Sequence, residues 1–309
     1  MKSFFNWKKI GKIVSPLKNS YWTKSHCMLP TPVKIKKNIF RVFYTSRNKK
    51  NQSFITFTDI KISSEIKIIK HAKKPVLKPG QLGCFDDNGV TPSSVIKIGK
   101  KIYLYYVGWK PKSTTRYSLM GGLAISENNG KTFKRYSRSS IFQNNDKEPF
   151  QIMTAPYVLK TKNDWKLWYV SCEKWKNPNY PIYNIKYASS KDGLKWKQTG
   201  KISINLKKNE RAVARPSVIY LNKKFYMWYC KENKVGQYNM GFAISKDGIS
   251  WKRADNKVGI YKSKKGWDSE MIAYPNIICH QKKYFMFYNG NEYGKNGFGV
   301  AISENFPKN

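Results

Sequence analysis

The stretch ARPSVIYLNKKFYMWY, residues 214–229, decides the fold. A proline opens a β-branched apolar run, a lysine-bearing turn follows, and an aromatic-rich run returns. β-Branched and aromatic residues suit a pleated, half-buried surface, and two such runs around a short polar turn read as a β-hairpin. The pattern recurs as LPTPVKIKKNIFRVFY (29–44), VTPSSVIKIGKKIYLYY (90–106), TAPYVLKTKNDWKLWY (154–169) and AYPNIICHQKKYFMFY (273–288). The anchoring prolines, Pro32, Pro92, Pro156, Pro216 and Pro275, are 60, 64, 60 and 59 residues apart. A fixed period of that size marks a repeat architecture, each repeat being one supersecondary unit.

A second piece follows most repeats: GGLAISENNGKTF (121–133), IKYASSKDGLKW (185–196) and GFAISKDGISW (241–251). Asp192-Gly193 and Asp247-Gly248 are tight-turn dipeptides between two strands. Each repeat therefore holds four strands, A to D, with Phe133, Trp196 or Trp251 opening strand D as core. Four antiparallel strands repeated radially predict an all-β fold, a β-propeller of five blades forming one domain over residues 1–309. No helical period is evident. The last repeat stops at GFGVAISEN (297–305), which is strand C, while WKKIGKI (7–13) echoes WKQTGKI (196–202). The N-terminal strand is expected to complete the last blade and remove an open edge.

The chain of 309 residues is 40% hydrophobic and 15% aromatic, enough for a sizeable core. No apolar run approaches the roughly 18 residues that cross a membrane. The start, MKSFFNWKKIGKIVSP, is basic but lacks an apolar stretch of signal-peptide length, so a cytoplasmic protein is expected. Cys27, Cys84, Cys172, Cys230 and Cys279 contain no CxxC pair, and His26, His71 and His280 are scattered. Neither disulfides, nor a metal, nor a cofactor is expected from them. The formal charge of +41, with 59 Lys and Arg against 18 Asp and Glu, attracts polyanions. The lysines run the whole length without a basic tail, which argues against a nucleic-acid arm. The abundance of Asn, Ile and Tyr offers a purely compositional source for them.

In an antiparallel A–B pair, the residues entering A and leaving B lie at the same end. Five such ends form one funnel mouth, where loops from all blades meet. Entering A are His26, Asp86 with Asp87, Gln151, Glu210 with Arg211, and Glu270. Leaving B are Arg47, Trp109, Glu173 with Trp175, Glu232, and Asn289 with Asn291. Carboxylates across a cavity suit glycoside cleavage, one donating a proton and the other activating water or attacking. Asp87, Glu210, Glu270 and Asp86 are the candidate catalytic residues. Trp109, Trp175 and Tyr274 suit stacking on sugar rings, and Asn289 and Asn291 suit hydroxyls. Arg211 and Arg215 suit a carboxylate or phosphate held by paired hydrogen bonds. His26, Arg47 and Glu173 complete the candidate binding set. Each acid also has a structural reading, as a turn cap or an ion-pair partner.

The repeat pattern, with GCFDDNGVTPSSV, RAVARPSVIYLNKKFYMWY and WDSEMIAYPNIICHQKKYFMFYNGNEYGKNGFGVAIS, resembles the five-bladed propeller superfamily of glycosidases. That group holds arabinanases and xylosidases of family 43, invertase-like enzymes and the β-mannoside phosphorylases of family 130. The family 43 pattern implies an Asp base on blade one, a pKa-tuning Asp on blade two and a Glu acid on blade three. Here blade one offers His26-Cys27, blade two matches with Asp86-Asp87, and blade three's FQIMTAP has no acid, Glu148 and Glu173 flanking it. Phosphorylase-like members imply one carboxylic acid plus basic residues holding phosphate, which Arg211 and Arg215 leave open. The expected function is cleavage of glycosidic bonds in a glycan, acidic or phosphorylated glycans included. The alternatives are a glycoside phosphorylase, a glycan-binding propeller without catalysis, or a basic polyanion binder.

Overall fold

The computed structural model describes residues 5–304. Its strands are β1 (Lys8–Val14), β2 (Ser25–Lys34), β3 (Ile39–Arg47), β4 (Ser53–Ile62), β5 (Ile66–His71), β6 (Gly89–Ile98), β7 (Lys101–Pro111), β8 (Tyr117–Ser126), β9 (Lys134–Arg135) and β10 (Ile152–Lys160). They continue with β11 (Trp165–Trp175), β12 (Pro181–Ser190), β13 (Lys197–Ile204), β14 (Glu210–Leu221), β15 (Lys224–Asn233), β16 (Tyr238–Ser245), β17 (Lys252–Arg253), β18 (Ala273–His280), β19 (Lys283–Asn289) and β20 (Phe298–Ser303). The fold is all-β. One 3-10 turn (Asp255–Lys257) is the helical element among the described residues, and Asn291–Gly294 forms a turn in which Glu292 and Tyr293 are left-handed. No helix there is long and apolar enough to cross a membrane.

Antiparallel pairing sorts the strands into successive groups of four: β2 to β5, β6 to β9, β10 to β13, and β14 to β17. In the last group β18, β19 and β20 are joined by β1, from the other end of the chain. Parallel bridges β4–β6, β8–β10 and β12–β14 tie the third strand of one group to the first of the next. The first strands contact each other in a cycle: β2 on β6, β6 on β10, β10 on β14, β14 on β18, and β18 on β2.

The core lies between groups. Phe43, Ile55 and Phe57 of the first pack on Leu104 and Tyr106 of the second. Tyr105 and Leu123 of the second meet Leu167 and Tyr169 of the third. Trp168 and Ile185 meet Met227 and Tyr229, and Trp228 and Phe242 meet Met286 and Tyr288 together with Phe5 and Trp7. Phe285 and Phe298 of the last group pack on Phe40, Val42 and Ile60 of the first. Burying one apolar face of every group requires both neighbours, so no group has a complete core alone.

Each first strand carries a β-bulge midway. The extra residues are Leu29-Pro30, Ser93, Ala155-Pro156, Arg215-Pro216 and Tyr274-Pro275. Structural equivalence thus falls on Pro30 and Ser93 rather than on Pro32 and Pro92. The proline column of the sequence is displaced in the first two repeats. Leu29, Ala155, Arg215 and Tyr274 adopt left-handed φ of 53°, 47°, 52° and 59°. A bulge of this kind re-aims one side chain, here toward the shared axis.

Candidate functional site

Those re-aimed residues line a central cavity of about 550 Å³. Leu29, Ala155, Arg215 and Tyr274 come from the bulges, Arg47, Trp109 and Glu232 from the ends of β3, β7 and β15, and Tyr117, Tyr183 and Tyr238 from third strands. His26, Arg116, Arg211 and Tyr293 complete its charged and aromatic wall. Volume and lining fall within the range of small-ligand sites.

Four arginines face one carboxylate. Glu232 is buried and ion-paired with Arg211, whose guanidinium it keeps protonated although burial opposes this. Arg215 closes the floor. It is 1% exposed and donates to the Pro92 carbonyl at 3.2 Å, Ser93 Oγ at 2.8 Å and Thr31 Oγ1 at 3.0 Å. Burial pushes its pKa down to about 10, so it stays cationic at neutral pH. Neither Arg215 nor Arg47 has an acid partner among the described residues, and the Nε of each is buried without a hydrogen bond. His26 is the reverse case. Burial, then Arg47 and Lys295, lower its pKa to about 4, outweighing Glu292, so it is neutral at pH 7.

The rest of the wall is aromatic. Tyr183 and Tyr238 share a hydroxyl contact of 3.2 Å, Tyr274 stacks on Tyr293 at 6.5 Å, and Trp109 donates to Ser53 Oγ at 3.0 Å. Burial raises Tyr183, Tyr238 and Tyr274 far above the usual phenol range, so they are neutral hydrogen-bonding groups.

Of the residues expected from sequence, the structure brings His26, Arg47, Trp109, Arg211, Arg215 and Tyr274 to this cavity. It does not bring the four candidate catalytic acids there. Asp86 is fully buried and accepts from the Tyr106 hydroxyl and Arg135 Nε. Asp87 accepts from the Gly83 amide and pairs with Lys110. Glu210 is bound by Arg253 through both oxygens, and Glu270 is exposed outside the cavity. Glu173 pairs with Lys186, and Trp175 packs edge-on against Tyr117 behind the wall. Asn289 accepts from the Leu29 amide and donates to the Cys27 and Gly297 carbonyls, stitching the last group to the first. Asn291 accepts from the Glu270 and Met271 amides.

The physical reason is a repeated use of acids. Asp86, Glu148, Asp255 and Asp268 each accept a hydrogen bond from a second-strand tyrosine, Tyr106, Tyr169, Tyr229 and Tyr288 respectively. A buried phenol needs a partner, and the scarce acids supply it. In the first group the Tyr44 hydroxyl meets Thr58 instead. Glu232 was legible by counting: it lies three residues beyond Tyr229, as Arg47 and Trp109 do beyond Tyr44 and Tyr106. Glu173 lies four beyond Tyr169, and one step along a strand changes the face.

A family model described as beta-1,4-mannooligosaccharide phosphorylase matches residues 177–306. The uncharacterised Mycobacterium tuberculosis protein Rv1502 is 34% identical over 301 residues, covering 97% of this chain and 99% of its own. A β-1,2-mannobiose phosphorylase from Listeria innocua superposes with a TM-score of 0.70 over 97% of each chain at 11% identity. A thermostable family-43 glycoside hydrolase does so with 0.67 over 92% of this chain and 91% of its own at 16% identity. The chain shares its fold with these solved structures and belongs to the family of the mycobacterial protein.

Proposed function

We propose that the protein is a single-domain, five-bladed closed ring whose central cavity acts on glycosidic bonds, with phosphate or another anion bound by the arginines. The cyclic contact of the first strands and the return of β1 to β20 support the ring. The observation that carries the function is the buried, uncompensated Arg215 beside Arg47 and the single carboxylate Glu232. A buried cation ordinarily has a counter-ion, and an anionic ligand supplies it here. Two carboxylates, as glycoside hydrolysis uses, are not among the lining residues, so phosphorolysis of a β-mannoside-class substrate is the favoured reaction. A phosphate oxygen attacks the anomeric carbon while the C1–O bond to the leaving sugar breaks. The leaving oxygen takes a proton from Glu232, giving a sugar 1-phosphate and a shortened glycan. Phosphate arriving at Arg211 competes with Glu232 for the guanidinium. The tyrosine wall stacks the sugar rings.

The test is incubation with β-mannooligosaccharides, with and without inorganic phosphate, followed by detection of sugar 1-phosphate. Turnover should require phosphate and fall by on the order of a hundredfold or more in Glu232→Gln, the scale of a lost general acid. Saturable glycan binding with no turnover in either condition replaces the enzyme with a binding propeller, a reading favoured by the existing Arg211–Glu232 pair.

A further inference from the structure

We propose that the face opposite the cavity is a docking surface for an anionic lipid bilayer. This does not depend on the reaction assigned to the cavity. The cavity collects the starts of the first strands, so the turns joining first to second strands all lie at the other end. In-register bonds fix this alignment: the Val158 amide donates to Ser94 Oγ and, at the equivalent place two groups on, the Ile277 amide donates to Ser217 Oγ.

Every one of these turns carries at least one exposed lysine. The first carries Lys36 and Lys37, the second Lys100 and Lys101, and the third Lys162. The fourth carries Lys223 and Lys224, and the fifth Lys282 and Lys283. Lys101 reaches Glu127 and Lys283 reaches Glu304; the other seven make no ion pair among the described residues. The one acid in these turns, Asp164, is bonded to Thr161 and near Lys166. Asp192 and Asp247, in neighbouring turns at the same end, have carboxylates occupied by backbone amides.

Backbone strain is a second, independent observation. Lys223 (φ 57°) and Lys282 (φ 59°) occupy left-handed positions of two-residue hairpin turns, beside Asn222 (49°) and Gln281 (50°). Glycine or asparagine is the unstrained choice there. Lysine is present against the local preference of the turn, which points to a use for its charge.

The chemistry favours a bilayer over nucleic acid. The charges stand on the tips of separate turns rather than along one helix or strand that could follow a phosphate ladder. All nine are lysines, hydrated point charges on flexible stems, with no arginine fork for paired phosphate contacts. Tyr220, 55% exposed beside the Lys223 turn, is an amphipathic ring of the type that settles at headgroup level. Lysines held near an anionic leaflet each strengthen binding about fivefold. Docked this way, the cavity mouth faces away from the membrane and stays open.

The experiment is co-sedimentation of the whole protein with vesicles of phosphatidylglycerol in phosphatidylcholine, alongside vesicles of phosphatidylcholine alone. Binding should require phosphatidylglycerol, fall steeply with salt, and weaken on the order of twentyfold in the double variant Lys223→Gly with Lys282→Gly. That variant relieves the turns, so its melting temperature should rise while its affinity drops, separating lost charge from lost fold. Equal binding by variant and parent overturns the proposal, as does equal binding to uncharged vesicles. Release of the protein from the vesicles by duplex DNA at matched phosphate concentration also overturns it, and assigns the face to nucleic acid.

Discussion

His26 shows how the cavity sets the state of one side chain. Its folded-state pKa is about 4 against 6.5 when exposed. Between those values the unfolded chain takes up a proton that the folded chain refuses, so stability falls as pH drops through this window and is full above it. His26 has φ 65°, a left-handed position that asparagine tolerates. His26→Asn should therefore fold normally and lose part of the decline in urea midpoint between neutral pH and about pH 5. Arg47 gives a second residue-scale outcome. Its side chain makes no hydrogen bond or ion pair within the described fold, so Arg47→Met should leave the melting temperature without ligand unchanged. In the parent, phosphate at a hundred times its Kd should add about 2.7 kcal/mol of stability; in the variant that gain should shrink or vanish. A phosphate-induced rise of equal size in both proteins removes Arg47 from the anion site. The tyrosine clamps are structural by the same reasoning: Tyr288→Phe leaves Asp268 with Lys9 alone and should cost about 1–3 kcal/mol in a denaturant titration.

At the scale of the element, the repeated device is a clasp between neighbouring groups. Arg41 donates to the Asn129 carbonyl, the Tyr105 hydroxyl to the Gly193 carbonyl at 2.7 Å, and Trp168 Nε1 to the Gly248 carbonyl at 2.8 Å. Each acceptor lies in the turn between the third and fourth strands of the next group. Gly130, Gly193 and Gly248 hold φ of 76°, 76° and 74°, which brings that carbonyl into place. A Cβ on Gly193 would meet the Trp165 ring at 2.8 Å. Gly193→Ala should thus destabilise the protein by at least the roughly 1–2 kcal/mol of a left-handed non-glycine residue. An unchanged melting temperature would mean that the clasp contributes nothing.

For the molecule as a whole, the join between the chain ends is the vulnerable place. β1 pairs with β20, and Phe5, Trp7 and Val14 are buried in the interfaces on either side of the last group. Deleting residues 1–14 removes those side chains and uncovers a strand edge. Losing one large buried aromatic alone costs about 3–5 kcal/mol, so the truncated chain should fail to fold or should aggregate through β20. A truncated form that melts cooperatively near the parent temperature would show that the join is dispensable.

The periodic part of the fold was legible because strand A, the turn and strand B repeat the same residue types, and a period of two with aromatic packing leaves little freedom. The return of WKKIGKI to the last sheet was legible for the same reason: it copies a fourth strand lacking elsewhere. The cavity was legible only in part. Arg215 and Tyr274 stand before the repeated prolines, and His26, Arg47, Trp109 and Arg211 flank the strands that reach the axis. Which acids face that axis was decided by bulges and by neighbouring groups. A bulge shifts the register by one, and one residue turns a side chain from the cavity to the interface between groups. Asp86, Glu210 and Glu148 were claimed by Tyr106, Arg253 and Tyr169, partners 20 to 43 residues away in sequence. Local pattern determined the strands; the long-range pairing of each scarce carboxylate, set by burial, was settled in three dimensions alone.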